Sequence, residues 1–320
     1  MATIGLNILQ AQLLLEAGEL VAIPTETVYG LAGNAYNEEA VLKIFSVKQR
    51  PSFDPLIVHA SCVEHIKGFV RDFPAEAQQL AQHFWPGPLT LLLKREAIIP
   101  DIVTAGLPRV AVRIPSHQLT LRLLQALPFP LAAPSANPFG YISPTTPQHV
   151  NDQLGNKITY ILAGGTCSIG IESTIVGFEQ GVPMIYRLGG ISVEAIKQVI
   201  GPITVADYAT LHPQAPGTLV HHYSPQKHLI IGDIPELIKQ YSHQRIGILA
   251  FDQYYEGVDP RHQIILALTA RLEEAAQNLF AALRKLDQLP IDLILAAYVR
   301  HTGLGRAIND RLRRAAARFI

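Results

Sequence analysis

Leu20-Val21-Ala22-Ile23-Pro24-Thr25-Glu26-Thr27-Val28-Tyr29-Gly30 (residues 20–30) is the stretch that sets the architecture. Four consecutive apolar residues closed by a proline read as a buried strand, and the small polar residues after them as a loop at its end. Upstream, Ile8 to Ala17 has helical apolar spacing and stops at Gly18. Downstream, Asn37 is placed to cap a helix from Glu38 to about Val47, Lys48 to Pro55 is an ordered loop with two prolines, and Leu56 to His59 is the next strand. A helix from Ala75 to Phe84 then runs into the breaker cluster Trp85-Pro86-Gly87-Pro88. Strand-like runs follow at Leu89 to Leu93, Val110 to Ile114, Leu131 to Ala133 and Tyr160 to Ala163, with a helix around Leu119 to Leu127. Ser173 to Val176 and Pro183 to Tyr186 read as a strand pair, and Val193 to Ile200 as a short helix. This irregular mixture predicts an α/β domain with a mixed twisted sheet rather than a series of βαβ units.

Periodicity is lost from Asp207 to Gln226, where Pro213, Pro216, Gly217, His221, His222, Tyr223 and Pro225 gather, so this segment is read as a linker. Beyond it, strands at Leu229 to Ile231, Ile246 to Phe251, Ile264 to Leu268 and Leu293 to Ala297 mix with helices at Pro235 to Tyr241, about Ala270 to Leu286 and about Arg306 to Arg318. That pattern predicts a second, smaller open α/β domain. The expected division is 1–206, a linker at 207–226, and 227–320.

With 320 residues, 48% hydrophobic and 16% charged, the chain can bury a core in each domain. Lys plus Arg and Asp plus Glu each number 26, so no global positive field draws it to nucleic acid or to an anionic membrane. The two cysteines, Cys62 and Cys167, have no zinc-ligand or disulfide spacing. With no signal-peptide pattern and no long apolar run, the reading is a cytoplasmic protein.

Several constellations carry chemical promise, each with a plainer alternative. Lys48 and Arg50, one residue apart, could converge on a polyphosphate or simply be two solvated cations. Ser135-Ala136-Asn137, followed by Gly140, Ser143, Thr145 and Thr146, crowds small polar groups at a strand's end, where α/β sheets bind ligands; it could equally be a self-bonded turn. Arg113 in an apolar strand demands an anion, either a substrate carboxylate or a structural Asp or Glu. Thr25, Glu26 and Thr27 either line a pocket or turn the chain, while a hairpin could bring Ser173, Thr174 and Arg187 to one sheet end. Adjacent His221 and His222 point to opposite sides of an extended chain and make a poor chelate, which favours a packing or lid role for that segment. Gly303-Leu304-Gly305 is read as a helix start rather than a phosphate turn. The chain has no nucleophile elbow, Walker A sequence or His-Glu-x-x-His.

In combination, Ile-Pro-Thr-Glu-Thr-Val-Tyr-Gly-Leu at 23–31, Lys-x-Arg-Pro-x-x-x-Pro-Leu at 48–56 and Ala-Pro-Ser-Ala-Asn at 133–137 resemble the YrdC-like family. Trp-Pro-Gly-Pro-Leu-Thr at 85–90, Arg113-Ile114-Pro115, Ser173 to Val176 and Arg187-Leu188-Gly189 extend the likeness, and the linker with a further domain is similar to the longer, two-domain threonylcarbamoyl-AMP synthases. The resemblance implies a YrdC-like sheet domain and a smaller Rossmann-like one. It implies condensation of L-threonine, bicarbonate or CO2, and ATP to threonylcarbamoyl-AMP and pyrophosphate, with Mg2+, ahead of a separate tRNA threonylcarbamoyl transferase complex.

By the same resemblance, Lys48, Arg50 and Arg187 contact ATP phosphates, and Ser135, Asn137 and Ser143 surround the nucleotide. Lys48, Arg50, Ser135 and Asn137 form the catalytic set. Thr25, His59, Arg113 and Ser173 hold threonine, with Arg113 on its carboxylate, and Tyr223 folds over the nucleotide from the linker, which acts as a lid. No metal ligand is assigned. Two positions depart from the family pattern, Phe139 in place of a small polar residue and Gly177 in place of an acidic one. The alternatives are a non-catalytic RNA-binding module, disfavoured by zero net charge and the lack of an aromatic stacking series, and the carbamoyl chemistry of hydrogenase maturation, disfavoured by two isolated cysteines.

Overall fold

The computed structural model describes residues 1–206, 215–217 and 223–317. Helix formation after the opening strand follows from a good cap. The Asn37 side-chain oxygen accepts from the backbone N–H groups of Glu39 and Ala40, and the helix Glu38–Lys48 follows. Gln49 closes it in the left-handed conformation, with the Arg50 N–H on the Phe45 carbonyl. Lys48 is therefore the last helical residue and is buried with Ile44 and Phe45, whereas the sequence placed it at the start of the ordered loop that follows the helix.

Eleven strands make one mixed sheet: β1 (Thr3–Gly5), β2 (Val21–Ile23), β3 (Gly30–Asn34), β4 (Ile57–His59), β5 (Leu89–Lys94), β6 (Arg109–Arg113), β7 (Leu131–Ala132), β8 (Tyr160–Leu162), β9 (Thr174–Glu179), β10 (Val182–Arg187) and β11 (Thr204–Val205), in the order β1-β8-β2-β3-β7-β4-β6-β5-β9-β10-β11. The expected strand pair is the antiparallel β9–β10 hairpin. β3 escaped the sequence reading because Gly-Leu-Ala-Gly-Asn carries little strand propensity. It is a strand because β2 and β7 flank it antiparallel, and Gly33 lets the Glu38–Lys48 helix come close: a Cβ there would lie 3.0 Å from Leu20 and 3.3 Å from Ile44. β1 and the helices Val63–Lys67, Asp101–Thr104 and Pro147–Leu154 were likewise not anticipated.

Gly177 sits within β9 opposite Met184, where a Cβ would lie 2.7 Å from the Tyr186 ring. Any side chain at this position would have to displace that ring.

A second sheet is open and wholly parallel, with β12 (His228–Ile231), β13 (Ile246–Ala250), β14 (Gln263–Ile265) and β15 (Leu293–Ala296) in the order β12-β15-β13-β14. The helices Ile234–Gln240, Leu272–Gln288 and Gly305–Ala316 pack around it. The second of these starts later than expected because Ala270 takes φ 55° and ends the preceding turn.

The two domains share a continuous apolar seam. Val28, Ile142 and Ile171 from the first pack with Tyr223 and with Leu272, Leu279, Phe280 and Leu283 from the second. Arg284 donates to the carbonyls of Ile142 and Ser143 and to Gln153, Tyr141 donates to Asp287 at 2.7 Å, and Arg306 pairs with Glu194 at 2.8 Å. Closest of all is Gly170, at φ 78°, where a Cβ would stand 2.3 Å from the Gln277 carbonyl. Gly170→Ala should therefore cost at least about 2 kcal/mol more in chemical denaturation than Gly181→Ala, which has similar positive φ but open space around it and loses only about 1 kcal/mol. Equal losses would mean that the second domain can yield at this seam.

Candidate functional site

β4 and β6 run parallel in a register that sets His59 beside Arg113, and alternation along β4 puts Ile57 on the same face as His59. These three form part of the floor of a narrow, partly open cavity of about 50 Å³. The site therefore lies over a sheet face, and not outside a strand's end as the crowding at Ser135 to Asn137 suggested. Its walls come from Thr25 and Thr27 after β2, Ser135 after β7, Glu172 and Ser173 before β9, Arg187 at the end of β10, and Arg50 and Pro55 before β4. Pro216, Gly217 and Tyr223 cover it. Of the anticipated residues, Thr25, Arg50, His59, Arg113, Ser135, Ser173, Arg187 and Tyr223 line the cavity, while Lys48, Asn137 and Ser143 are buried beside it.

The electrostatics are those of buried cations. Arg50 pairs with Asp54 at 2.9 Å, donates to the carbonyls of Asp54 and Pro55, and lies over the Phe139 ring at 5.9 Å. Phe139, a departure from the family pattern, thus adds a cation–π contact to a guanidinium at the cavity wall. Lys48 donates to the carbonyls of Ser135 (2.5 Å) and Asn137 (2.6 Å), and burial, reinforced by Arg50, pushes its ammonium well below the usual lysine range. Arg187 donates to the Ser173 carbonyl (2.9 Å) and hydroxyl (3.0 Å) and to the Pro216 carbonyl (3.2 Å), and burial lowers it to about 10. Among the described residues, neither Lys48 nor Arg187 has a carboxylate within ion-pair distance.

Arg113 finds its demanded anion inside the chain: it pairs with Glu26 at 2.6 Å, and it also donates to the Thr27 hydroxyl (2.9 Å) and the Gly87 carbonyl (3.2 Å). The structural carboxylate is thus present, and the guanidinium still reaches the cavity. His59 is buried beside it, with no hydrogen-bond partner at Nδ1 among the described residues, and burial together with Arg113 lowers it to about 3. It is a neutral imidazole offering one unused ring nitrogen. The Asn137 Oδ1 is also unpartnered, while its amide nitrogen donates to the carbonyls of Pro138 and Tyr141.

Sequence reasoning passed over Glu172, Asp54 and Arg311. Glu172 lines the cavity, accepting from Ser143 Oγ at 2.6 Å and from Arg311 Nε at 2.9 Å. Arg311 belongs to the Gly305–Ala316 helix, is fully buried, and stands over the Tyr223 ring at 5.0 Å. A basic run in a terminal helix reads as a solvated face, and only the docking of the second domain turns one of its arginines inward. The expected His221–His222 pair lies outside the described residues. Gly303 to Gly305 does lead into a helix, as expected, and that helix starts at Gly305.

Comparison with known proteins fixes the family. A model described as "Telomere recombination" (Sua5, YciO and YrdC) matches residues 13–189, and one described as "Threonylcarbamoyl-AMP synthase, C-terminal domain" matches 191–317. The chain is 40% identical to a threonylcarbamoyl-AMP synthase of Pyrococcus abyssi, over 93% of this chain and 90% of that one. The chain belongs to the threonylcarbamoyl-AMP synthase family. A second relative of that name, from Bacillus subtilis, is 41% identical over 97% of this chain and 93% of its own length. In three dimensions this family member superposes on the crystal structure of P. abyssi Sua5 complexed with L-threonine with a TM-score of 0.91 and 39% identity, covering 97% and 94% of the two chains. A HypF structure at 22% identity and TM-score 0.52 shares the fold over 57% of this chain and 29% of its own.

Neutral His59 makes stability depend on pH. A histidine held near 3 when folded but near 6.5 when unfolded binds fewer protons in the folded state, so its stability contribution is lost as pH falls from about 6.5 towards 3. His149, lowered to about 4, acts in the same direction. His59→Asn should flatten the decline in unfolding free energy between pH 7 and 4, by an amount on the order of 3–4 kcal/mol. A slope identical to that of the unsubstituted protein would remove His59 from the account.

Proposed function

We propose that this chain makes threonylcarbamoyl-AMP and pyrophosphate from L-threonine, bicarbonate or CO2, and ATP, as the ATP-dependent nucleotidyltransferase its family implies. The observation that carries this reading is the pair of buried basic side chains, Arg187 on the cavity wall and Lys48 behind it on the carbonyls of Ser135 and Asn137, neither with a carboxylate partner among the described residues. Burying such charges is costly unless an anion meets them, and a polyphosphate supplies that anion. Arg50 adds a third cation at the wall. Ser135 lines the cavity, and Asn137, with Oδ1 unpartnered among the described residues, and Ser143 are buried nearby; these three would surround the nucleotide.

The amino acid would sit over the sheet face, its carboxylate on Arg113 and its hydroxyl within reach of His59, Thr25 or Ser173. The ammonium loses a proton to solvent, the free amine adds to CO2 and releases a second proton to solvent as the carbamate forms, and a carbamate oxygen then attacks the α-phosphate as pyrophosphate leaves. Catalysis is then positioning and charge neutralisation, with no general base required of the chain. The cavity of about 50 Å³ has room for a few waters and none for a nucleotide, so admission of ATP requires the covering residues, Pro216, Gly217 and Tyr223, to withdraw. This supports a division into a catalytic domain at 1–206, a lid-bearing linker at 207–226 and a second domain at 227–320.

The donor set does not build a magnesium site. Among the described residues no three His, Cys, Asp or Glu side chains converge, and Glu26, Asp54 and Glu172 are each tied to an arginine. Magnesium would arrive with ATP, on its phosphates and water. No described helix is long and apolar enough to cross a membrane, which accords with a cytoplasmic enzyme handing its product to a tRNA threonylcarbamoyl transferase complex. An RNA-binding module would instead need its cations on an open face.

Incubating the protein with ATP, magnesium, L-threonine and bicarbonate should yield threonylcarbamoyl-AMP by mass spectrometry; its absence, with the protein folded, would refute the reading. Lys48→Met and Arg187→Met should each lower pyrophosphate release at least a hundredfold in protein that circular dichroism shows to be folded, at a stability cost on the order of 1–3 kcal/mol for the backbone carbonyls left without a donor. Near-normal turnover in either variant would displace the phosphates from these side chains.

A further inference from the structure

Glu172 is the one acidic side chain among the described residues that line the cavity, whose other charged walls are Arg50, Arg113 and Arg187. A carboxylate offers about four acceptor positions, and two of these are taken, one by Ser143 Oγ at 2.6 Å and one by Arg311 Nε at 2.9 Å. Glu172 lines a site whose proposed amino-acid substrate enters as a zwitterion. Arg113 answers its carboxylate, and no other anion on the wall answers its ammonium. Glu26, by contrast, is not among the residues that line the cavity.

We infer that Glu172 is the subsite for the substrate's α-amino group and that Arg311, reaching across from the second domain, is the positioning residue that holds Glu172 in place. Arg311 is suited to that task. It has no exposed side-chain surface, its second terminal nitrogen donates to the Leu188 carbonyl at 2.8 Å, next to Arg187, and its guanidinium covers the Tyr223 ring. Asp310 takes its remaining branch at 2.8 Å. A single side chain of the second domain therefore fixes a cavity carboxylate, a loop beside a cavity arginine and the residue that covers the cavity. The second domain is on this account a part of the amino-acid site.

The inference rests on the proposed use of threonine, and the test separates the two. Calorimetric titration of the full chain with L-threonine tests that use; no binding by the unsubstituted protein would sink the substrate reading itself. Given binding, Glu172→Gln should weaken L-threonine by about ten- to a hundredfold, the range of a charge-assisted hydrogen bond. The same variant should leave 2,3-dihydroxybutyrate, which carries a hydroxyl in place of the amine, within about twofold of its affinity for the unsubstituted protein. Equal losses for both ligands would overturn the subsite. Arg311→Lys should reproduce the selective loss for L-threonine, and the double variant with Glu172→Gln should be no weaker than Glu172→Gln alone; additive losses would give Arg311 a merely structural role. If Arg311→Lys does not fold, Ser143→Ala removes the other tether of Glu172 and is expected to cost L-threonine more than the hydroxy acid, with equal effects again counting against the inference.

Discussion

Burying positive charge where few carboxylates answer it is the constraint on which this structure turns. A guanidinium or ammonium withdrawn from water is tolerated only when its N–H groups are bonded and an anion lies near. The protein meets the first condition with backbone carbonyls, from Ser135 and Asn137 for Lys48 and from Ser173 and Pro216 for Arg187. It meets the second only in part, through Asp54, Glu26 and Glu172. Carbonyl acceptors fix geometry without cancelling charge, so the cavity keeps an appetite for anions while its walls stay rigid. Many of the turns around it, from the left-handed Gln49 to the loop before β9, are shaped by delivering those carbonyls.

Much of the fold was legible because local signals and tertiary packing agree. Asn37 as cap, Ala75–Phe84 and Val193–Ile200 as helices and the β9–β10 hairpin need only capping, apolar spacing and turns. β3 was illegible because its glycines matter only when a helix packs on them, which is tertiary information. The site divides in the same way. Arg113 announced itself by its cost in an apolar strand, and Lys48, Arg50 and Ser135 to Asn137 through motif resemblance. Glu172 and Arg311 gave no such signal, since each is an ordinary charged residue until two distant segments meet. Lys48 was misplaced for a related reason: a lysine next to a proline-rich stretch reads as solvated, and only the packed helix face draws it inside.

The domain seam matters to the site more than its distance in sequence suggests. Ser143, which holds Glu172, is also the carbonyl to which Arg284 donates, and Tyr223, which covers the cavity, stacks on Phe280 at 5.5 Å. Packing between the domains and polar order within the cavity are thus made from the same few residues. Loosening the seam would be felt first as poorer alignment of the cavity wall, before any loss of secondary structure.

β15 is the last strand in the chain, yet it lies between β12 and β13 in the small sheet. During synthesis the eleven-stranded sheet has all its strands once residue 205 has left the ribosome, whereas the small sheet lacks an inner strand until residues 293–296 emerge. Arg311 comes later still, on the helix that follows. A nascent chain can therefore carry a folded first sheet for the whole time its partner domain is being made, with Glu172 still unanchored from that side. Completion of the pocket therefore waits on the helix that carries Arg311.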